Sequence, residues 1–159
     1  MEAISNEVYE LGRRSTLQFS PDVRGKEIII TTSVAKRGDQ DAEGLIVAHG
    51  NKTDGYAVYI QDGKIKFVVN QKGKSFEAVT AKTLPERFDL AAQLGKNGQM
   101  TLQVDGEEAA KTKAPGMFDL ALEPSVRSGR DFGDQNNIGS YEGENAFEGN
   151  FQDLELELK

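Results

Sequence analysis

Acidic side chains alternate with leucines near the end of the chain. Asp153, Glu155 and Glu157 occupy every second position of a segment whose intervening residues are all leucine. Two carboxylates about one strand step apart are the groups that a retaining glycosidase uses. Any half-solvated β-strand shows the same alternation, however, and no aromatic residue interleaves these acids to form a sugar platform. The pattern therefore favours a solvated strand face, with a β-sandwich glycoside hydrolase or lyase as the alternative.

Oxygen-rich side chains cluster in residues 130–137, whose sequence is RDFGDQNN. Calcium binds loops of this kind through carboxylate and carbonyl oxygens, which makes Asp131 and Asp134 the candidate metal ligands. The spacing does not match the helix-loop-helix calcium pattern, and no bidentate Glu is suitably placed. Asx-rich turns also satisfy their own backbone without a metal. We expect that no cofactor is required, with structural calcium as the one candidate ion.

His49 is the only histidine, and the chain has no cysteine. A Ser-His-Asp triad could at best be partial, and a two-histidine metal site cannot form. The absence of cysteine excludes disulfides, thiolate zinc sites and thiol nucleophiles. Since His49 ends an apolar stretch beside a glycine turn, we expect a structural or partly exposed imidazole, and the sequence predicts no catalytic residue.

The candidate ligand-binding residues are Tyr59, Lys66, Arg130 and Tyr141. Tyr59 and Lys66 are predicted to face each other on the outer side of a hairpin, where they would form a sugar-facing pair. Cross-strand packing of Tyr on Lys is equally ordinary without a ligand. The absence of Trp weakens the argument for a carbohydrate platform.

Residues 55–70 indicate a β-hairpin around Asp62 and Gly63. An Asp-Gly pair supplies the two positive-φ positions of a type I′ turn, and counting outward from it places Val58 opposite Phe67. A slip of one residue would expose the whole apolar set, so the register is well defined. The side chains predicted to face the core are Tyr56, Val58, Ile60, Ile65, Phe67 and Val69.

Further strands are predicted where apolar residues alternate with polar ones. They cover residues 17–19, 26–34, 45–49, 75–80, 88–94, 99–104, 107–111, 126–130 and 147–158. Residues 88–94 have a helix as the alternative, because of their Leu and Ala content, and residues 117–122 are predicted to form a strand or a helical turn. Phe151 has the opposite parity to the leucines after it. A bulge near residues 152–153 would turn both inward; otherwise Phe151 packs outside.

The bulk composition indicates one all-β domain. The chain has 159 residues with 17 Gly and 4 Pro, which suits a single core with many turns. We expect residues 1–15 to be a flexible lead-in and residues 16–159 to form the domain. A net charge of −7 argues against nucleic acid and anionic membrane surfaces as partners. No apolar run predicts membrane insertion.

The start of the chain lacks the basic and apolar regions of a signal peptide. The protein is therefore expected to be either intracellular or a mature or excised part of an exported one, and we favour a periplasmic or extracellular location.

Residues 43–50 (EGLIVAHG) and 55–70 resemble the core of a laminin-G-like, concanavalin A-like jelly roll. Their order of apolar strand, glycine loop, Gly-Tyr strand, Asp-Gly turn and strand ending in Asn is similar to the C-terminal β-sandwich region of some bacterial arylsulfatases. The later segments that fit the same pattern are residues 101–106, residues 128–131, Tyr141 and residues 147–149. The resemblance covers roughly residues 15–158.

The resemblance implies an all-β, two-sheet antiparallel sandwich of the concanavalin A-like jelly-roll type. A sulfatase nucleophile is a Cys or Ser on an α/β domain that this chain lacks, so the chain would be an accessory region or a relative of one. Laminin-G-like domains bind sugars or proteins at a rim, sometimes with calcium. The leading expectation is a non-catalytic module that binds a polysaccharide, another glycan or a parent enzyme domain. A structural or oligomerisation domain is the further alternative.

Overall fold

The computed structural model describes residues 7–133 and 137–159, which form twelve β-strands. In chain order these are β1 (Glu7–Leu11), β2 (Ser15–Thr16), β3 (Ile28–Ala35), β4 (Gly44–Gly50), β5 (Gly55–Gln61), β6 (Lys64–Gln71), β7 (Lys74–Val79), β8 (Arg87–Leu94), β9 (Gln99–Val104), β10 (Glu107–Lys113), β11 (Arg127–Ser128) and β12 (Asn150–Leu158).

The strands form two six-stranded antiparallel sheets. Sheet A has the order β1-β12-β3-β8-β9-β10, and sheet B has the order β2-β11-β4-β5-β6-β7. Their apolar faces pack together as a two-layer sandwich. The predicted all-β, two-sheet class is confirmed. In the described part of the chain, no helix is long and apolar enough to cross a membrane.

The β5–β6 hairpin has the predicted register. Val58 lies opposite Phe67 and Tyr59 lies opposite Lys66. Asp62 and Gly63 take φ values of 54° and 75°, as a type I′ turn requires. All six side chains predicted to face the core are buried, so the pattern of this hairpin correctly located the centre of sheet B.

Strands β3 and β8 also follow their sequence pattern. Alternate residues of β3 are buried, as the prediction for residues 26–34 required. The helical alternative for residues 88–94 is wrong, because β8 pairs along its whole length with β3. In such an alternating strand, the apolar side chains point into the interlayer core and the polar side chains lie on the outer face of the sheet.

The last strand contains the predicted bulge. The pairing of β12 with β3 shifts between Gln152 and Glu155, and Asp153 takes a left-handed φ of 56°. The extra residue changes the parity of the strand, so Phe151 and Leu154 both point into the core. The alternative of an outward-facing Phe151 is wrong.

Other local expectations are corrected. Residues 7–11 are not part of a flexible lead-in, because they form β1 and pair with β12. The short strand expected at residues 17–19 lies instead at Ser15–Thr16, as β2, and Phe19 is 55% exposed. Residues 117–122 form neither a strand nor a helical turn. Strands β1 and β2 pair with β12 and β11, which are distant in the sequence, so the local pattern of residues 7–19 does not predict where these strands lie.

Deleting a core side chain from the β5–β6 hairpin tests the interlayer packing. Phe67→Ala leaves a cavity among fully buried side chains, and we expect it to lower the free energy of unfolding by about 3–5 kcal/mol. The measurement is urea denaturation followed by circular dichroism. Phe19→Ala is the matched control, since Phe19 is largely exposed. Equal losses for the two variants would contradict the assignment of the core.

Candidate functional site

The outer face of sheet B is covered by a second, smaller core. Tyr59 has no exposed surface, and Tyr141 is only 6% exposed. The expectation that Tyr59 faces an open surface is therefore wrong. Strand parity correctly predicted which face of sheet B carries Tyr59. It could not predict that residues 137–141, which are distant in sequence, pack over that face. The members of this second core are Leu45, Ala48, Ala57, Tyr59, Val68, Ile138 and Tyr141.

Residues 137–141 are held on this face by contacts with Tyr59. The backbone N–H of Ser140 donates to the Tyr59 hydroxyl at 3.2 Å, and the Tyr141 ring meets the Tyr59 ring edge-on at 4.9 Å. Lys66 is half-buried and donates to Gln61 Oε1 at 2.8 Å. The structure thus brings Tyr59 and Tyr141 together, and their role in ligand binding stays a prediction.

Asp131 takes part in a buried ion pair. Its Oδ1 accepts from Arg127 Nε at 2.9 Å and from the N–H of Phe132 at 2.8 Å, and its Oδ2 accepts from the Tyr141 hydroxyl. Arg127 and Asp131 side chains are 1% and 0% exposed. Burial, with the Asp131 charge beside it, raises the pKa of the Tyr141 hydroxyl. This phenol therefore stays protonated and donates.

The ion pair bears on the calcium prediction. The carboxylate charge of Asp131 is already balanced by a guanidinium, so a cation there would have to displace Arg127. Asp134 lies outside the described residues. Within residues 7–133 and 137–159, no group of three or more His, Cys, Asp or Glu side chains could hold a metal. Calcium binding stays a prediction that nothing in the described structure supports.

Arg130 points away from the buried pair. It is exposed, and its Nη1 lies 3.7 Å from Glu144 Oε2. Surface ion pairs of this kind add little to stability. Its role in ligand binding stays a prediction.

His49 lies in a chain of buried hydrogen bonds. Ser20 Oγ donates its one proton to the Leu122 carbonyl at 2.5 Å, so His49 Nε2, at 2.7 Å from the same Oγ, must carry the ring proton. His49 Nδ1 then accepts from the Tyr56 hydroxyl at 3.1 Å. Burial, and then the charge of Arg127, lowers the pKa of His49 to about 3. The imidazole is a neutral, fully buried link between Ser20 and Tyr56, so the alternative of a partly exposed ring is wrong.

Two acids of the last strand line a depression on the outer face of sheet A. Asp153 and Glu155, with Asp89, contribute to this depression of about 440 Å³, and none of its lining residues is aromatic. Asp153 lies at the bulge, while Glu155 and Glu157 alternate with buried leucines on the outer face of sheet A. Glu155 lies opposite Glu10 on β1 and Thr31 on β3. The positions paired with Glu155 and Glu157 hold no aromatic side chain. The hydrolase alternative required such aromatics, so the arrangement favours a solvated face.

Two adjoining depressions lie at the end of the sandwich where β1 and β3 finish and β8 and β12 begin. The first has a volume of about 430 Å³ and is lined by Leu11, Gly12, Arg13, Ser33, Val34, Ala35, Arg87, Asn150, Phe151, Gln152 and Asp153. The second has a volume of about 350 Å³ and is lined by Arg13, Arg14, Arg37, Gly129, Phe147 and Phe151. We call Arg13, Arg14, Arg37 and Arg87, with the two depressions, the arginine rim.

Gly129 is what allows the β1–β2 turn to reach the rim. It has a φ of 78°, and a Cβ at this position would lie 1.6 Å from the Arg13 carbonyl oxygen. Only glycine therefore permits this backbone approach. Arg13 also donates through Nη2 to the Gly149 carbonyl at 3.5 Å. The loop before β12 and the turn after β1 thus jointly position Arg13 between the depressions.

The sequence analysis missed the arginine rim. Its arginines are spread over seventy-five positions of the chain, from Arg13 to Arg87, and Arg13 and Arg14 fell in the expected lead-in. A signal was nevertheless present. Arg37 follows the end of β3 and Arg87 begins β8, and neighbouring antiparallel strands place those two positions at the same end of a sheet.

Known structures share this fold. No protein-family model matches the chain, and no curated protein matches it in sequence. Domains LG4-5 of the mouse laminin α1 chain are 17% identical with a TM-score of 0.71, and the match covers 96% of this chain and 40% of that one. The laminin G type of jelly roll is thus confirmed at the level of fold.

Botulinum neurotoxin domains are similar too. The receptor-binding domain of the C/D mosaic serotype is 11% identical with a TM-score of 0.56, over 96% of this chain and 43% of that one. Botulinum neurotoxin type C, whose cell entry depends on interaction with two ganglioside molecules, is 9% identical with a TM-score of 0.53, over 96% and 42%. The chain spans about two fifths of the length of these structures. At such identities the similarity concerns the fold alone.

Enlarging Gly139 tests how the loop covers sheet B. A Cβ on Gly139 would lie 2.4 Å from Tyr59 Cε1, so Gly139→Ala should displace residues 137–141 and expose Tyr59. We expect a loss of about 1–3 kcal/mol in the free energy of unfolding and stronger iodide quenching of tyrosine fluorescence. Gly116→Ala is the control, since its Cβ meets nothing within 4 Å. Unchanged quenching in Gly139→Ala would contradict the covering contact.

Acid sensitivity tests the His49 hydrogen-bond chain. The pKa of His49 falls from 6.5 to about 3 on folding, so the unfolded chain binds more protons between these values. The contribution of His49 to the free energy of unfolding is therefore complete above about pH 6.5, and it is lost as the pH drops toward 3. His49→Gln should be less stable at pH 7, yet should lose on the order of 2 kcal/mol less than the parent between pH 7 and 4.5. Parallel pH curves in urea denaturation would refute the assignment.

Proposed function

We propose that the protein is a non-catalytic glycan-binding module that holds its ligand at the arginine rim. The observation that carries this proposal is the pair of adjoining depressions, each with an apolar floor and converging polar side chains. Phe151 and Val34 contribute apolar surface, while Arg13, Arg87 and Asn150 contribute hydrogen-bond donors. Small-molecule sites have this composition, and both volumes lie in the range of such sites.

A sugar ring matches such a surface. It has apolar C–H faces that pack on Phe and Val side chains, and hydroxyls that accept from guanidinium and amide groups. Botulinum neurotoxin type C, which shares the fold, depends on interaction with gangliosides for cell entry. That property supports a glycan for this chain by analogy of fold.

The rim is better suited to binding than to hydrolysis. Asp153 is the only carboxylate among the residues that line the two depressions. Glycoside hydrolysis ordinarily needs two carboxylates that flank the scissile bond. The arrangement therefore supports recognition of a sugar without cleavage.

Narrower assignments remain predictions. The relationship to the C-terminal region of bacterial arylsulfatases has no support from the comparisons, and an exported or periplasmic location is proposed on the same resemblance. A structural or oligomerisation role would be favoured by one large exposed apolar patch. The described residues include four large apolar side chains that are exposed, at Val8, Phe19, Val79 and Phe132, and this role stays a prediction.

Binding to a glycan array tests the proposed function. We expect the purified chain to bind at least one glycan class, and Arg13→Ala/Arg87→Ala to weaken that binding about tenfold or more, because charged hydrogen bonds are lost. Arg24→Ala is the control, since Arg24 is exposed at the opposite end of β3 and is paired with Asp22. The proposal fails if no glycan binds, or if the double variant binds as tightly as the control.

A further inference from the structure

We infer that the ligand of the arginine rim is a linear polyanionic polysaccharide that occupies both depressions at once and passes over Arg13. The inference rests on the proposed function and specifies the chemistry and the size of its ligand. The recognised groups are the carboxylates or sulfates of successive sugar units.

Charge at the rim is opposite in sign to that of the whole chain. The protein carries a net charge of −7, yet the second depression is lined by Arg13, Arg14 and Arg37 with no acidic residue. The first is lined by Arg13 and Arg87 with the single carboxylate of Asp153. A concave, positive site on an acidic protein concentrates anions locally while the rest of the surface repels them.

Pairing separates the rim arginines from the others. The chain has seven arginines. Those outside the rim each face a carboxylate, with Arg24, Arg127 and Arg130 at 2.8, 2.9 and 3.7 Å from their partners. Within residues 7–133 and 137–159, none of the four rim arginines forms an ion pair. Their charge is therefore available to an external anion.

The use of arginine specifies the anionic group. A planar guanidinium donates two parallel hydrogen bonds to a carboxylate or to a similar oxyanion, whereas an ammonium acts as a point charge. Both depressions also have an apolar floor, at Phe151 in each case. A sugar that carries an acidic group presents both features, a C–H face for the ring and an oxyanion for the guanidinium.

Continuity of the two depressions sets the size of the ligand. They share Arg13 and Phe151, while Arg87 lines only the first and Arg37 only the second. A short anionic sugar fills one depression. A longer oligosaccharide can occupy both depressions. Once it is bound in one, its binding in the other is an intramolecular step, so its affinity rises above that of the short sugar without any new type of interaction. Affinity should therefore rise steeply once the oligosaccharide is long enough to span Arg13.

Calorimetric titration with oligosaccharides of defined length tests the inference. The probes are di- and hexasaccharides of oligogalacturonate, which carries carboxylates, and of heparin, which carries sulfates; cellohexaose is the neutral control. We expect the hexasaccharide of one anionic series to bind about tenfold or more tightly than its disaccharide. Binding should weaken with added salt, since exposed charges are screened. Comparing the series identifies the anionic group.

Single substitutions locate the two contacts. Arg37→Ala and Arg87→Ala should each lower hexasaccharide affinity to about that of the disaccharide, whereas Arg13→Ala should weaken both lengths. Asp153→Asn should tighten binding, because it removes the one negative charge of the first depression and Asn tolerates a φ of 56°. Arg24→Ala, which changes the net charge equally, should leave both affinities unchanged.

The outcomes separate the inference from the proposed function. Salt-independent binding of cellohexaose that is lost in Arg13→Ala would overturn the polyanion and leave the glycan module intact. Equal affinity for anionic di- and hexasaccharides would overturn the shared occupancy. Single-stranded DNA that binds as tightly as the hexasaccharide would overturn the commitment to polysaccharide. Failure of every oligosaccharide, with no binder on a broad glycan array, would remove the proposed function as well.

Discussion

The buried guanidinium of Arg127 is the contact on which the periphery of the sandwich depends. It joins the end of β4, through the Gly50 carbonyl at 2.9 Å, to the start of the loop between β11 and β12, through Asp131. Phe132 stacks on the same guanidinium at 4.9 Å. Because these groups are buried, removal of one partner would leave the other as an uncompensated charge. The pair therefore fixes where the loop can go.

The consequences extend to both candidate surfaces. Asp131 also holds Tyr141, which packs on Tyr59 and closes the outer face of sheet B. Gly129 lies two residues after Arg127. The carbonyl oxygen of Arg13 occupies the position that a Cβ of residue 129 would take, and the Gly129 carbonyl accepts from the N–H of Phe147. The same short segment thus covers the outer face of sheet B and supplies Gly129 to the lining of the second depression.

Much of the fold could be predicted because strand patterns are local. The Asp62-Gly63 turn determines the pairing of β5 with β6 by counting alone. The opposite parity of Phe151 and the leucines after it predicted either a bulge or an outward-facing Phe151, and the structure has the bulge. The candidate site could not be predicted in the same way. The alternation along β5 predicts that Tyr59 faces away from the interlayer core. It cannot predict that residues 137–141, about eighty positions later, cover that side chain. The rim arginines become neighbours only when β3 is known to pair with β8.

The position of β12 has a consequence for the synthesis of the protein. This strand lies between β1 and β3, which both come from the first thirty-five residues, and it supplies the Phe151 floor of the rim. During translation, β1 therefore has no neighbour in sheet A until residues 150–158 have left the ribosome. Such long-range pairing slows folding, because the loop-closure entropy is lost before the contacts form. The nascent chain thus exposes an unpaired edge of β3 for most of its synthesis, and the arginine rim is the last part of the domain to be completed.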